Sequence, residues 1–142
     1  QSGCRVMLPE DGSAATMLSA DVPHRKILNK DILATEMILD IGPKAIDSYQ
    51  QALREVRTLL WNGPMGAFEV RPFDTATVNL AQMVAKATEK GYLLSVAGGG
   101  DTVAALNHAG VAEEFSYVSL AGGAFLEYIE GKTLPGVEVL SR

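Results

Sequence analysis

The residues most able to do chemistry in this chain sit in glycine-bearing turns. LSVAGGGDTVAAL (Leu94 to Leu106) runs an apolar stretch into Gly98-Gly99-Gly100, then Asp101, Thr102 and a helix-like tail. Glycine is costly to order, so three in succession need a reason such as positive φ or a close backbone approach to another group. A turn that opens a helix offers unpaired backbone N–H groups at the positive end of the helix dipole, which makes an anion site, above all for phosphate. Asp101 would repel that phosphate unless a cation lay between them. Mg²⁺ resolves the conflict, because a hard cation takes oxygen ligands from one carboxylate together with phosphates. The expectation is therefore a metal-bridged polyphosphate held at Gly98, Gly99, Gly100 and Asp101, with the hydroxyl and N–H of Thr102 offered to the same phosphates. The competing reading of Asp101 is a plain helix cap. Two more turns of this kind follow apolar runs: Asn62-Gly63-Pro64-Met65-Gly66 after Trp61, and Ala121-Gly122-Gly123 after Leu120.

Neither standard phosphate fingerprint is present. GGGDTVAAL lacks G-x-x-x-x-G-K-[ST], and its glycines do not follow G-x-G-x-x-G, which weakens both a Walker-type NTPase and a nicotinamide-dependent dehydrogenase. With 12 Lys and Arg scattered against 17 Asp and Glu, a formal net charge of −5, the chain has no electrostatic footprint for a nucleic-acid backbone. His24 and His108 have no Cys or His at ligand spacing, which argues against zinc, and His108 fits as favourable charge near a helix end before Gly110. No apolar segment approaches the roughly 18 residues that span a bilayer, and the start lacks the order of a signal peptide. A soluble cytoplasmic protein is the expectation, with the lone Cys4 read as a core thiol.

The elements that must position these turns follow from hydrophobic period. Short apolar runs at Cys4 to Leu8, Glu36 to Asp40, Thr58 to Asn62, Tyr92 to Ala97 and Ser116 to Leu120 read as strands. Pro43 suits the first position of a helix whose apolar stripe is Ile46, Tyr49, Leu53 and Val56. A second helix runs from an Asp74 cap to Lys90 with Gly91 as its stop, a third from Asp101 to Ala109, and a fourth from Ala124 to Glu130. Glu10 to Thr35 is polar and weakly periodic and receives no element. The continuous apolar character of YLLSVA points to a parallel sheet covered on both sides. The alternation of strand and helix then predicts an α/β fold, a three-layer, Rossmann-like, mostly parallel sheet with helices on both faces. In such a sheet all three glycine turns leave the same carboxyl edge, where these folds bind ligands.

LLWNGPMGAFE (Leu59 to Glu69), VAGGGDTVAAL (Val96 to Leu106), LDIGPKAI (Leu39 to Ile46) and SLAGGAFLEYIEGKTLPGVEVL (Ser119 to Leu140) occur in this order, and together they closely resemble phosphoglycerate kinase. The resemblance runs from about Arg5 to the end. It implies that residues 1–142 are a single, partial nucleotide-binding domain, the later part of the C-terminal domain of a two-domain kinase. Such enzymes move a phosphoryl group between 1,3-bisphosphoglycerate and ADP with Mg²⁺, in glycolysis. By position, the resemblance implies that Glu69 accepts hydrogen bonds from the ribose hydroxyls of ATP or ADP and that Asn62 approaches its phosphates. It also implies that Gly98, Gly99, Gly100 and Thr102 line the phosphate path, that Asp101 meets the magnesium, and that the helix start at Gly122 and Gly123 faces the transferred phosphoryl. A carboxylate suits a diol, and an amide beside glycine can donate to an anion. Trp61 reads as core, and Pro64 and Gly66 as residues that shape their loop.

This chain departs from that pattern at its third turn. Where the family usually reads S-T-G-G-G-A, the chain reads Ser119-Leu120-Ala121-Gly122-Gly123-Ala124, losing a hydroxyl and a glycine, and Ala67 replaces the more usual valine. None of the three turns carries Lys or Arg, although phosphoryl transfer needs cations on the developing charge; Arg71 and Lys132 read as solvated surface charges. By resemblance, the phosphate-binding lysines lie earlier in the nucleotide domain, and 3-phosphoglycerate or 1,3-bisphosphoglycerate is held by an N-terminal domain. The 142 residues alone are expected to show little or no turnover. The alternatives are a non-catalytic nucleotide-binding module and a degenerate relative.

Overall fold

The computed structural model describes residues 3–140. They fall into two compact units: one comprises the residues up to Glu55 together with Met65–Leu80, the other Val56–Pro64 together with the residues from Ala81 onward.

The first unit is built on an antiparallel sheet in the order β2-β1-β3, from β1 (Asp11–Ala15), β2 (His24–Leu28) and β3 (Met37–Ile41). Strand β1 is buried along its whole length, which its small residues allow. A Cβ at Gly12 would lie 2.6 Å from Ile38 Cγ2. Helix α1 (Pro43–Glu55) starts on its proline as expected. Gly42-Pro43 brings no side-chain acceptor to that helix start, so Asp11 serves from β1: its carboxylate accepts from Lys44 N at 3.0 Å and Ala45 N at 2.8 Å. Asp40 does the same for helix α2 (Thr75–Glu89), accepting from Ala76 N at 3.0 Å while its other oxygen accepts from Ile41 N at 2.9 Å. Asp74 precedes that helix, as the sequence indicates, and its carbonyl accepts from Val78 N. In register across the three strands, Ser13 stands opposite both Lys26 and Asp40, and Lys26 Nζ donates to Ser13 Oγ.

The second unit holds a parallel sheet in the order β4-β5-β6, from β4 (Thr58–Asn62), β5 (Leu94–Gly98) and β6 (Tyr117–Ser119). Helices α3 (Gly100–His108), α4 (Gly122–Ile129) and α5 (Pro135–Leu140) belong to it, as do the residues of α2 from Ala81 onward. The sheet carries helices on both faces. Ser95 is fully buried and bonds Thr88 of α2 at 2.8 Å, whereas Gly98, on the opposite face by the pleat, lies under Phe125 of α4. Ser95 and Ser116 also exchange bonds, each backbone N–H donating to the other's hydroxyl at 3.1 Å, which locks β6 beside β5. Trp61 is core, 5% exposed, with its ring edge-on to Phe115 at 6.1 Å.

Four expectations need correction. Cys4 to Leu8 forms no strand and Cys4 is exposed, not core: Val6 and Leu8 are 76% and 77% exposed, and the centre of that sheet belongs to β1 instead. The unassigned segment contains β1, β2 and a short 3-10 turn at Asn29–Asp31; its pattern was weak because β1 is small and wholly buried rather than alternating. Strand β3 is where the sequence places it, but it pairs antiparallel with β1, so the parallel sheet is β4-β5-β6. Helix α4 begins at Gly122, ahead of the expected Ala124, and α5 was not anticipated.

Burial pushes the Asp40 carboxyl up from 3.8 to about 6, against the pull of the Ala76 and Ile41 amides and Lys26, and with a push from Asp74. A raised carboxyl favours the protonated folded state, so this contribution to stability is complete below pH 3.8 and is lost as pH rises through about 6. In the full-length protein, Asp40→Asn should remove a fall of about 2–3 kcal/mol across that window, read from urea denaturation midpoints; an unchanged pH slope would show that Asp40 does not titrate there.

Candidate functional site

The parallel register aligns the carboxyl ends of the three strands of the second unit: Asn62 pairs with Gly98, and Gly98 with Ser119. The three turns therefore leave one sheet edge, as the sequence predicts. Their meeting point is a contact of backbone on backbone. A Cβ at Gly122 would lie 2.4 Å from Gly99 Cα and 2.7 Å from Gly99 N, where no real side chain fits. Gly99 has φ +105°, a conformation that favours glycine, and its N–H donates to Ser119 O at 3.0 Å. The close approach of the two helix starts requires glycine at 122, and the positive φ requires it at 99.

Both helix starts are left open. Gly99 is the N-cap of α3 and Ala121 that of α4, and neither has a side-chain cap bond. Backbone N–H groups of the first turn of each helix, including those of Gly100, Asp101, Thr102, Gly122 and Gly123, thus have no partner within their own helix. The two positive dipole ends reinforce one another at this edge.

Asn62 is exposed at the end of β4, and its Oδ1 lies 3.5 Å from where a Gly99 Cβ would be. Thr102 is buried, 2% exposed, and its Oγ1 accepts from Gly63 N at 2.7 Å. The hydroxyl that the sequence offers to phosphate thus ties the Asn62-Gly63-Pro64 turn to α3, and the group it presents at the helix start is its N–H. Trp61 Nε1 donates to Gly63 O at 2.6 Å, so both backbone polar atoms of Gly63 are fixed. Asp101 lies in the first turn of α3, exposed, and is not the cap residue. Its carboxylate is free to meet a cation.

A magnesium–nucleotide complex fits this donor set. Gly100 and Gly123, in the first turns of α3 and α4, have open space where a side chain would be, and the exposed Asp101 follows Gly100 in the chain. Among the described residues no three His, Cys, Asp or Glu gather as metal ligands, so a divalent ion here would draw most of its oxygens from phosphates and water. Gly123 has open space around it, and Leu120 is 77% exposed before the start of α4. Arg71 is 82% exposed and pairs with Asp74 at 3.4 Å, and Lys132 pairs with Glu130 at 2.7 Å.

Glu69 belongs to the first unit, in a loop fixed to β3: Ala67 N donates to Leu39 O at 2.8 Å. The loop is a run of tight turns, with Phe68 N on Gly66 O, Val70 N on Ala67 O and Phe73 N on Val70 O, and it holds Phe68 and Phe73 buried while Glu69 faces solvent. Sequence reasoning missed the supports of both loops. For Thr102 no signal distinguishes a phosphate contact from a loop tie. For Asp40 the signal was an acid enclosed by apolar residues in MILDI.

The family profile described as Phosphoglycerate kinase matches residues 1–132. Over 140 residues the chain is 58% identical to the phosphoglycerate kinase of Zymomonas mobilis subsp. mobilis, covering 99% of this chain and 35% of that one. The Xanthobacter flavus enzyme is 57% identical over 141 residues, 99% of this chain and 36% of its own. The solved structure of phosphoglycerate kinase from Coxiella burnetii superposes with a TM-score of 0.84 at 41% identity, over 94% of this chain and 34% of that one. The chain thus spans about a third of the length of the relatives it matches.

Gly122→Ala should destabilise the full-length protein by about 1–3 kcal/mol, since the new methyl meets backbone rather than a flexible side chain. Gly123→Ala, into open space on a helix, should be neutral or stabilising by up to about 1 kcal/mol. Denaturation midpoints compare the two directly; equal midpoints would remove the contact as a constraint.

Proposed function

The chain belongs to the phosphoglycerate kinase family, and from that premise we propose that it forms part of the nucleotide-binding domain of an enzyme transferring a phosphoryl group between 1,3-bisphosphoglycerate and MgADP. The observation that supports this most is the pair of open helix starts abutting through Gly99 and Gly122. Preorganised amides aimed at an anion stabilise charge without reorganising, which is what phosphoryl transfer asks of a protein.

The roles divide by chemistry. Gly98, Gly99 and Gly100 let backbone approach the nucleotide phosphates, Thr102 donates its N–H there, and the amide of Asn62 donates from the neighbouring strand end. Asp101 supplies one carboxylate oxygen to the magnesium that accompanies the nucleotide. When bound, that ion neutralises phosphate charge and orients the tail. The N–H groups at Gly122 and Gly123 hold the equatorial oxygens of the transferring group. Glu69 accepts from the two ribose hydroxyls, a geometry suited to a carboxylate.

The three turns hold no Lys or Arg, so the remaining positive charge and the phosphoglycerate site come from parts of the full-length enzyme outside this chain. By itself the chain is proposed to supply nucleotide-binding residues with little or no turnover. The work of the whole enzyme on phosphorylated metabolites is proposed to be cytoplasmic and glycolytic. Among the described residues no helix is long and apolar enough to cross a membrane.

In the full-length enzyme, Asp101→Ala should weaken ADP binding in the presence of Mg²⁺ by about tenfold or more, and metal-free ADP binding by no more than about twofold. Calorimetric titration with and without Mg²⁺ checks it. Equal losses in both would remove Asp101 from the metal.

A further inference from the structure

Asp40 is a buried acid to which the reading above gives no part, and its surroundings connect it to the loop that carries Glu69. It is 2% exposed at the end of β3. One oxygen accepts from Ala76 N and the other from Ile41 N, so a single carboxylate joins the end of the strand to the start of α2. The Glu69 loop lies on that carboxylate. A Cβ at Gly66 would stand 2.3 Å from Asp40 Oδ1 and 2.6 Å from Phe73 O, so the loop lies on Asp40 only because position 66 has no side chain. The residue before Asp40 takes the next bond, Ala67 N to Leu39 O. Met65 N donates to Thr77 Oγ1 at 3.1 Å, on the helix whose start Asp40 holds. One side chain thus underlies the loop at Gly66 and holds the start of the helix that follows it, while backbone beside Asp40 and Thr77 of that helix take the bonds of Ala67 and Met65.

We propose that Asp40 is a positioning residue for nucleotide binding, acting by fixing the loop that presents Glu69. This rests on the reading of Glu69 as the ribose acceptor. A purely structural acid would look like Asp11, which caps α1 through the backbone amides of Lys44 and Ala45 in the same unit. Asp11 is the internal control.

The test is a double-mutant cycle in the full-length enzyme, read as KM for MgADP, KM for the phosphoglycerate substrate and kcat. Glu69→Gln should raise the nucleotide KM with little change in the other substrate's KM. Asp40→Asn should raise the nucleotide KM by about five- to tenfold, the scale of one displaced hydrogen bond, and this increment should vanish when Glu69→Gln is already present. Asp11→Asn, of comparable effect on the denaturation midpoint, should leave the nucleotide KM unchanged. Should Asp40→Asn fail to fold, hydrogen exchange on the unmodified enzyme serves instead: MgADP should slow the Ala67 and Ala76 amides more than the Lys44 and Ala45 amides at Asp11, and equal slowing overturns the proposal. An unchanged nucleotide KM in Glu69→Gln removes the reading of Glu69, and the proposal with it. A raised KM in Glu69→Gln, with no effect of Asp40→Asn or with its full effect persisting in the double variant, removes the proposal alone.

Discussion

The approach of Gly122 to Gly99 is the constraint on which the rest of the second unit depends. Two helix starts of the same polarity are brought together where a single methyl would strike backbone. Like dipole ends repel, so the arrangement draws nothing from electrostatics in the free protein. It is held by the sheet below: the paired carboxyl ends of β4, β5 and β6, the Gly99 N–H on Ser119 O, and the exchanged Ser95 and Ser116 bonds set where each helix can begin. A meeting of like dipole ends follows from strand register together with the missing side chain at Gly122 and the positive φ of Gly99.

Both units rely on buried side-chain oxygens that accept backbone N–H groups from distant parts of the chain. Asp11 reaches Lys44 and Ala45, Asp40 reaches Ala76, and Thr102 reaches Gly63. Each satisfies a donor that local sequence leaves orphaned, in a setting where an unpaired polar group is costly. Each also fixes one segment against another, which a local cap cannot do. The loops bearing Asn62 and Glu69 are tied to distant residues by Thr102 and Thr77 in addition to their own tight turns.

Local signals made most of the helices and all three strands of the parallel sheet legible in the sequence. Pro43 starts α1, Gly91 and Gly110 follow α2 and α3 with positive φ, and the apolar runs ending at Asn62 and at Ala97 and Gly98 are β4 and β5. The shared edge of the three glycine turns followed from a parallel topology alone. The antiparallel sheet was hidden because β1, DGSAA, has neither β-branched residues nor alternation; its strand character comes from being enclosed, a tertiary fact. CRVML misled for the opposite reason, as apolar character without a pairing partner does not make a strand. Within the site, residue types pointed to the positions of Asn62, Asp101 and the glycines, but not to the direction of the Thr102 hydroxyl, which depends on a neighbour 39 positions away.

Leaving α3 and α4 without side-chain caps has a thermodynamic consequence. A good cap contributes about 1 kcal/mol to a helix, and this protein goes without it twice on one edge. An anion bound there would complete the secondary structure as well as fill a site, which would link occupancy to conformational stability. Binding and folding would then share one equilibrium, and a melting point would rise with the concentration of such an anion.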